Sequence, residues 1–221
     1  MRKINDADIS AGYGSLDKEI LRGINFKIEP GEFVALTGPS GGGKTTLFKL
    51  LLGLYEPWRG EIWLDGERAT PQIWRAWREK VGAVSQDDRL LSGTIAENIA
   101  LFDPQIDMGQ IENAARFAKI YDEIHAMPMR FRSLIGDMGS VLSGGQRQRV
   151  MLARAIYRNP SVLMLDEGTA NLDVDAEEAI AESIRALPVT RIVIAHRPAL
   201  LDRADRIVEV RDGALNLMGR K

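Results

Sequence analysis

Nine consecutive residues, Gly38, Pro39, Ser40, Gly41, Gly42, Gly43, Lys44, Thr45 and Thr46, have the residue types of a phosphate cradle. Gly38, Gly43, Lys44 and Thr45 meet the spacing G-x-x-x-x-G-K-T. Glycines let successive backbone N–H groups turn inward around phosphate oxygens, and a helix opening at Lys44 adds the partial positive charge of its N-terminus. Lys44 is expected against the β- and γ-phosphates of a nucleotide, and the Thr45 hydroxyl on Mg²⁺. The apolar run Phe33 to Leu36 reads as the buried strand that feeds this loop. Lys44, Thr45 and Thr46 open a helix that continues through Leu47 to Leu54. A glycine-rich surface turn that happens to precede a lysine is the plainer alternative, and the flanking strand and helix count against it.

A second signal is Val162-Leu163-Met164-Leu165 followed by Asp166 and Glu167. The carboxyl ends of parallel strands face the ligand crevice, so both acids are delivered toward the phosphates. Asp166 is expected to hold Mg²⁺ through its water shell and Glu167 to polarise the attacking water. The third signal is Leu142, Ser143, Gly144, Gly145 and Gln146, directly ahead of a long helical segment. Ser143 suits an N-cap, and the two glycines expose backbone N–H groups at the positive end of that helix. One chain therefore carries two helix starts suited to phosphate. It binds two nucleotides, or one nucleotide is pinned between the cradle of one chain and the second helix start of another. The second helix start lacks its own lysine and acidic pair, which favours the shared arrangement.

The elements that must position these groups are legible in outline. Residues 3 to 10 suggest a short edge strand, Leu21 to Ile28 a half-buried strand, and Glu61 to Leu64 a strand closed by the Asp65-Gly66 turn. Pro71 introduces a helix over Gln72 to Glu79, in which Trp74 and Trp77 form a core or docking stripe, followed by the strand Lys80 to Ser85. Thr94 to about Arg158 is helical, with Ile111, Ala114, Ala115, Ala118 and Tyr121 at helical spacing. Strands return at Ser161 to Leu165, Thr190 to Ala195 and Arg206 to Val210, with a helix over Asp175 to Leu187 and a last hairpin turned by Asp212-Gly213. The fold class expected is α/β: a P-loop core with a mostly parallel sheet, N-terminal antiparallel strands and an inserted helical subdomain. The core is placed at 1–86 and 159–221, and the helical subdomain at 87–158.

Composition narrows the alternatives. The 221 residues carry a formal net charge of −2, which argues against broad nucleic-acid binding through phosphate neutralisation. There is no cysteine, so disulfide, thiolate-zinc and thiol chemistry are excluded. The apolar runs are too short to span a bilayer, so the chain by itself is expected to be soluble and cytosolic.

In their order and spacing these motifs resemble the nucleotide-binding domain of the ATP-binding cassette (ABC) transporters. The resemblance implies ATP and Mg²⁺ as ligands and a second copy as partner. Two domains join head to tail around two ATP molecules, each held between the cradle of one and the LSGGQ signature of the other. It also implies roles for single residues. Tyr13 stacks on adenine; Gln86 contacts Mg²⁺ and couples to the membrane part; Asp173 ends the D-loop; His196 reaches the γ-phosphate. The residues are compatible with this: Tyr13 lies in a glycine-flanked loop, and Gln86 and His196 each follow an apolar strand. In the segment GTANLD, Gly168 stands where the family more often has alanine.

The stretches QDDRLLSGTIAENI and LIGDMGSVLSGGQRQR resemble the exporter branch, with Asp137 where the usual acid is glutamate. They are similar to exporters with an N-terminal peptidase domain, which secrete bacteriocin or microcin peptides. That likeness implies a parent polypeptide with a transmembrane domain, set at the cytoplasmic face of a bacterial inner membrane. A lipid or drug exporter is the alternative within the transporters, and a soluble ABC ATPase of repair or translation is the more distant one.

Overall fold

The computed structural model of the chain describes residues 3–13, 18–136, 142–166 and 172–220. In chain order the elements are β1 Ile4–Ala11, β2 Leu21–Ile28, β3 Phe33–Thr37, α1 Lys44–Leu51, β4 Arg59–Leu64, β5 Glu67–Arg68, α2 Pro71–Arg78 and β6 Val81–Val84. There follow β7 Gly93–Thr94, α3 Ile95–Ile99, α4 Met108–Phe117, α5 Tyr121–Ala126, a 3₁₀ turn Arg130–Arg132, β8 Leu134–Ile135 and α6 Gly144–Tyr157. The chain closes with β9 Val162–Asp166, α7 Val174–Ala186, β10 Thr190–Ile194, α8 Pro198–Leu201, β11 Arg206–Arg211 and β12 Ala214–Arg220. Two compact units result: Met1–Val81 with Ser161–Asp166 and Pro188–Lys221, and Gly82–Pro160 with Glu167–Leu187. Among the described residues, no helix is long and apolar enough to cross a membrane.

In the first unit the main sheet runs β12-β11-β3-β10-β9. Strands β11, β3, β10 and β9 are mutually parallel, and β12 returns antiparallel to β11. All five residues of β9 and of β10 are buried, as expected for parallel strands covered on both faces, whose sequences read as continuous apolar runs. Ile194 lies in register with Leu36 on one side and Asp166 on the other, which aligns the carboxyl ends of three neighbouring strands. The opposite ends are pinned by polar contacts. Arg206 makes a two-pronged pair with Glu32, at 2.8 and 3.1 Å. The Phe33 N–H donates to Asp205, and the Gly31 N–H to the Thr190 hydroxyl.

The antiparallel sheet of this unit has the order β2-β1-β4-β5, so β1 lies inside it, not at the edge that its sequence suggests. Ile4 and Ile9 are fully buried. The register of β1 shifts between Asp6 and Ile9 and again between Ile9 and Ala11, which breaks the two-residue alternation a central strand would otherwise show. In β2 the apolar face Ile24, Phe26 and Ile28 is buried as expected, and Leu21 joins it because Gly23, at φ +56°, slips the phase. Asp65 and Gly66, both at positive φ, make the tight turn between β4 and β5.

Helix α1 stops at Leu51, three residues short of the expected end, because the chain turns at Gly53 with φ +68°. A Cβ on Gly53 would come within 2.4 Å of the Trp74 ring. Trp77 is buried, and its indole N–H donates to the Leu51 carbonyl at 2.9 Å, satisfying one orphan acceptor of the α1 C-terminus.

In the second unit α6 packs against α3 and α4. The buried stripe of α4 is Ile111, Ala114 and Ala115, and it does not continue into Tyr121 as the spacing predicts. Lys119 takes φ +54°, its N–H donates to the Arg116 carbonyl, and the Ile120 N–H donates to the Ala115 carbonyl. This is a Schellman closure with lysine where glycine is usual, so the sequence carries no visible stop. Tyr121 instead opens α5. The β7–β8 ladder pairs Gly93 with Ile135 and Thr94 with Leu134, too short a pairing to leave a periodic trace in the sequence.

Trp77→Phe keeps the packing but removes the indole donor, leaving a buried carbonyl unpaired. The expected loss is about 1–3 kcal/mol of stability, read as a lower denaturant midpoint at unchanged slope.

Candidate functional site: two helix starts and a row of strand ends

Leu36 and Thr37 of β3 lead directly into the glycine-rich loop. Gly38 and Gly43 adopt φ +129° and +107°, backbone that side-chain-bearing residues rarely reach. The loop is also closely backed. A Cβ on Gly38 would lie 2.2 Å from the Val210 carbonyl oxygen, and one on Gly42 2.5 Å from the same atom. The turn after β11 supports the loop too, the Gly213 N–H donating to the Gly42 carbonyl at 3.2 Å. Val210 and Gly213 carry no motif of their own; the parallel pairing of β11 with β3 is what brings them behind the cradle.

Helix α1 starts at Lys44 with Gly43 as its N-cap and no side-chain cap. By contrast α2, α3, α4, α6 and α7 each have a side chain accepting from their first-turn N–H groups. The first N–H groups of α1 are thus left for an anion. Lys44 is 8% exposed, and its ammonium donates to the carbonyls of Gly38 and Pro39 at 2.8 and 2.9 Å. Those two bonds hold the charge at the loop mouth, with a third N–H for a phosphate oxygen.

Tyr13 is 48% exposed beside this loop. Its hydroxyl accepts from the Thr46 hydroxyl at 3.0 Å, and its ring meets Tyr55 edge-on at 5.4 Å. A cavity of about 200 Å³ is lined by Tyr13, Ile20, Gly41, Gly43, Lys44, Thr45 and Thr46. A larger one of about 340 Å³, lined among others by Glu56, Glu61, Arg68 and Trp74, has no glycine cradle and two acids in its wall.

The strand alignment brings further expected residues to the same sheet edge. Asp166 is the last residue of β9, 3% exposed, and His196 stands two residues beyond Ile194 of β10, exposed. Among the described residues no group of three or more His, Cys, Asp or Glu side chains is arranged to cage a metal. The donor set present, a cradle hydroxyl and one buried carboxylate, fits Mg²⁺ held together with the phosphates of its nucleotide. Glu167 lies outside the described residues, as do Asp137 and positions 168–171 of the segment leading to Asp173.

The second unit carries the other expected residues. Gln86 is exposed just past β6. Asp173 is the N-cap of α7, its carboxylate accepting from the Ala176 N–H at 2.9 Å, so its acidic side chain has a structural task. Leu142 is buried, and Ser143 is the N-cap of α6. The Ser143 hydroxyl accepts from the Gln146 N–H at 3.1 Å, and the Gln146 side-chain oxygen accepts from the Ser143 N–H at 2.9 Å, a complete capping box. The box leaves the N–H groups of Gly144 and Gly145 outside it. Arg147, the residue after Gln146, donates to the Leu142 carbonyl at 2.8 Å. What this helix start offers an anion is therefore backbone amide, a hydroxyl and the helix dipole, with no lysine.

Gly42→Ala and Gly41→Ala separate space from conformation. The Gly42 Cβ has no room, and nucleoside triphosphate affinity is expected to fall more than about tenfold, the equivalent of 1.4 kcal/mol. Gly41 has open space but φ +77°, so its substitution is expected to cost about 1 kcal/mol of stability by backbone strain. Calorimetric titration and thermal denaturation of both variants check the pair.

A family profile described as ABC transporter matches residues 21–170. The chain is 41% identical over 207 residues to a probable microcin-H47 secretion/processing ATP-binding protein of Escherichia coli, covering 94% of this chain and 30% of that protein. It is 41% identical over 202 residues to the colicin V secretion/processing ATP-binding protein of Escherichia coli, covering 91% and 29%. An ATP-dependent lipid A-core flippase of Paraburkholderia xenovorans is 40% identical over 209 residues, covering 94% and 35%. Among solved structures, a bacterial Atm1-family ABC exporter with ATP bound superposes with a TM-score of 0.88 at 36% identity, covering 96% of this chain and 37% of that one. The chain thus spans roughly a third of the length of each of these relatives. With the profile spanning more than half of its residues and the cradle and signature helix both built as described, the chain belongs to the ABC transporter family, as its ATP-binding and ATP-hydrolysing nucleotide-binding domain.

Proposed function

We propose that this domain dimerises head to tail around two Mg-ATP and powers an exporter from the cytoplasmic face of a bacterial inner membrane. The observation that carries the reading is the contrast between its two helix starts. The one at α1 is uncapped and has Lys44; the one at α6 is capped and has no lysine, and Arg147 beside it is engaged with backbone. The first can hold a phosphate by itself, whereas the second, without a lysine, is useful only against phosphates that a cradle already holds.

In this reading Tyr13 stacks on adenine, Gly38 to Thr46 wrap the phosphates, and Lys44 lies against the β- and γ-phosphates. Thr45, Gln86 and Asp166 would hold Mg²⁺, which when bound neutralises charge on the β- and γ-phosphate oxygens. Glu167 polarises a water whose oxygen attacks the γ-phosphorus, the bond from that phosphorus to the bridging oxygen breaks, and ADP and phosphate leave. His196 donates to a γ-phosphate oxygen. Leu142 to Gln146 of the second copy close over the same phosphate through the Ser143 hydroxyl and the Gly144 and Gly145 amides. Asp173, the last residue of the family's D-loop motif, sets the start of α7.

The remaining partner is a transmembrane domain of the same parent polypeptide, with an N-terminal peptidase domain if the cargo is a peptide. Kinship with the microcin and colicin V secretion proteins supports a peptide cargo. A lipid or other small-molecule cargo is the second reading, supported by near-equal identity to the lipid A-core flippase. Nucleic acid is not part of either reading. The gene sequence upstream of Met1 separates them: a Cys-His peptidase ahead of six spans for the first, spans alone for the second.

Glu167→Gln keeps the shape of the acid but not its basicity. It is expected to retain ATP, accumulate as an ATP-bound dimer on gel filtration and lose turnover by about 10²-fold or more, the scale of a lost general base. Turnover near the parent rate would sink the assignment.

A further inference from the structure

The signature motif accounts for its own capping box but not for what orients the Gln146 amide. That amide has two faces, and only one serves. Its oxygen must point at the Ser143 N–H, which leaves its NH₂ pointing away. There it donates to the Glu123 carboxylate of α5 at 2.8 Å. The other oxygen of that carboxylate pairs with the Arg149 guanidinium at 2.6 Å, and Arg149 is only 12% exposed. Arg149 also donates to the Lys119 carbonyl at 3.1 Å, just past the end of α4. The chain of contacts therefore runs from a fixed cation through Glu123 to Gln146 and on to Ser143.

We propose that Glu123 is a positioning residue for the signature motif, selecting the Gln146 amide orientation that completes the capping box and presents the Ser143 hydroxyl. The physical reason is polarity. A carboxylate only accepts, so a flipped Gln146 would set oxygen against oxygen at Glu123 and NH₂ against N–H at Ser143. Arg149, three residues along the same helix as Gln146, holds the Glu123 carboxylate in place. Glu123 lies 23 residues upstream of Gln146, outside every motif of the chain. The role rests on the proposed dimer, since an oriented signature matters only against a second cradle.

Four variants test it in the soluble domain. Glu123→Ala is expected to speed amide hydrogen exchange at the start of α6 and to lower turnover, each by about tenfold, as for loss of a helix cap, with ATP affinity of the monomer unchanged. Glu123→Gln still offers an acceptor and is expected to hold turnover within about threefold, the size of one weakened hydrogen bond. Glu123→Arg, in which a donor-only side chain selects the flipped amide, is expected to fail. Adding Arg149→Glu to it restores the ion pair and the melting temperature but not the turnover, because the amide stays flipped. Recovery of turnover in that double variant would overturn the proposal, reducing the pair to a structural strut. So would unchanged exchange in Glu123→Ala. A parent protein with neither ATP-dependent dimer nor turnover would remove the dimer reading and this role together, whereas an active parent with an equally active Glu123→Ala removes this role alone.

Discussion

Everything at the candidate catalytic edge depends on the parallel register of β3, β10 and β9. Leu36, Ile194 and Asp166 stand side by side, so each strand releases its next residues at the same level. From β3 comes the cradle, from β10 His196, and from β9 Asp166. Hydrogen-bonded parallel strands cannot slip by one residue without turning every side chain to the opposite face, and the buried apolar runs on both faces forbid that. The register is set far from the chemistry, at the opposite strand ends, where Arg206, Glu32, Asp205 and Thr190 tie the starts of β3, β10 and β11 together.

The two helix starts proposed to meet phosphate use the same dipole in different ways. In α1 the N-terminus is left uncapped, the glycines are backed by the Val210 carbonyl, and the lysine is already anchored by two loop carbonyls. Little ordering remains to be done when a phosphate arrives, which is the advantage of a preformed site. In α6 the third N–H is consumed by Ser143, and only the glycine amides and the hydroxyl remain for a ligand. A capped, lysine-free helix end is a weak anion site alone. Placed against phosphates already held by a cradle, it adds donors where charge develops during transfer.

The parts of the fold that could be read from residues are those in which one local rule decides. The cradle, the apolar strands β9 and β10, the Asp65-Gly66 and Asp212-Gly213 turns and the Ser143 cap each follow from short-range chemistry, and each is found. The misreadings arise where a residue breaks the rule it usually marks. Lys119 closes α4 in a conformation that normally signals glycine, and the bulges in β1 hide a central strand behind an irregular pattern. Val210, Gly213 and Glu123 could not have been found at all, because their relevance comes from tertiary contacts with Gly38, Gly42 and Gln146. Tyr13, Asp166, His196, Gln86 and Asp173 stand at loop or strand positions open to the roles proposed for them, though Asp173 already has work as a cap.

The central claim is that one catalytic site is assembled from two chains, and complementation by mixing tests it most directly. Lys44→Ala removes the cradle lysine and keeps the signature; Ser143→Arg blocks the signature and keeps the cradle. Each is expected to be inactive alone. In a mixed dimer the intact cradle of one meets the intact signature of the other, so an equimolar mixture should regain up to about a quarter of the parental turnover, from half of the dimers carrying one good site of two. A mixture no more active than its separate components would contradict the account, as would an active Ser143→Arg protein by itself.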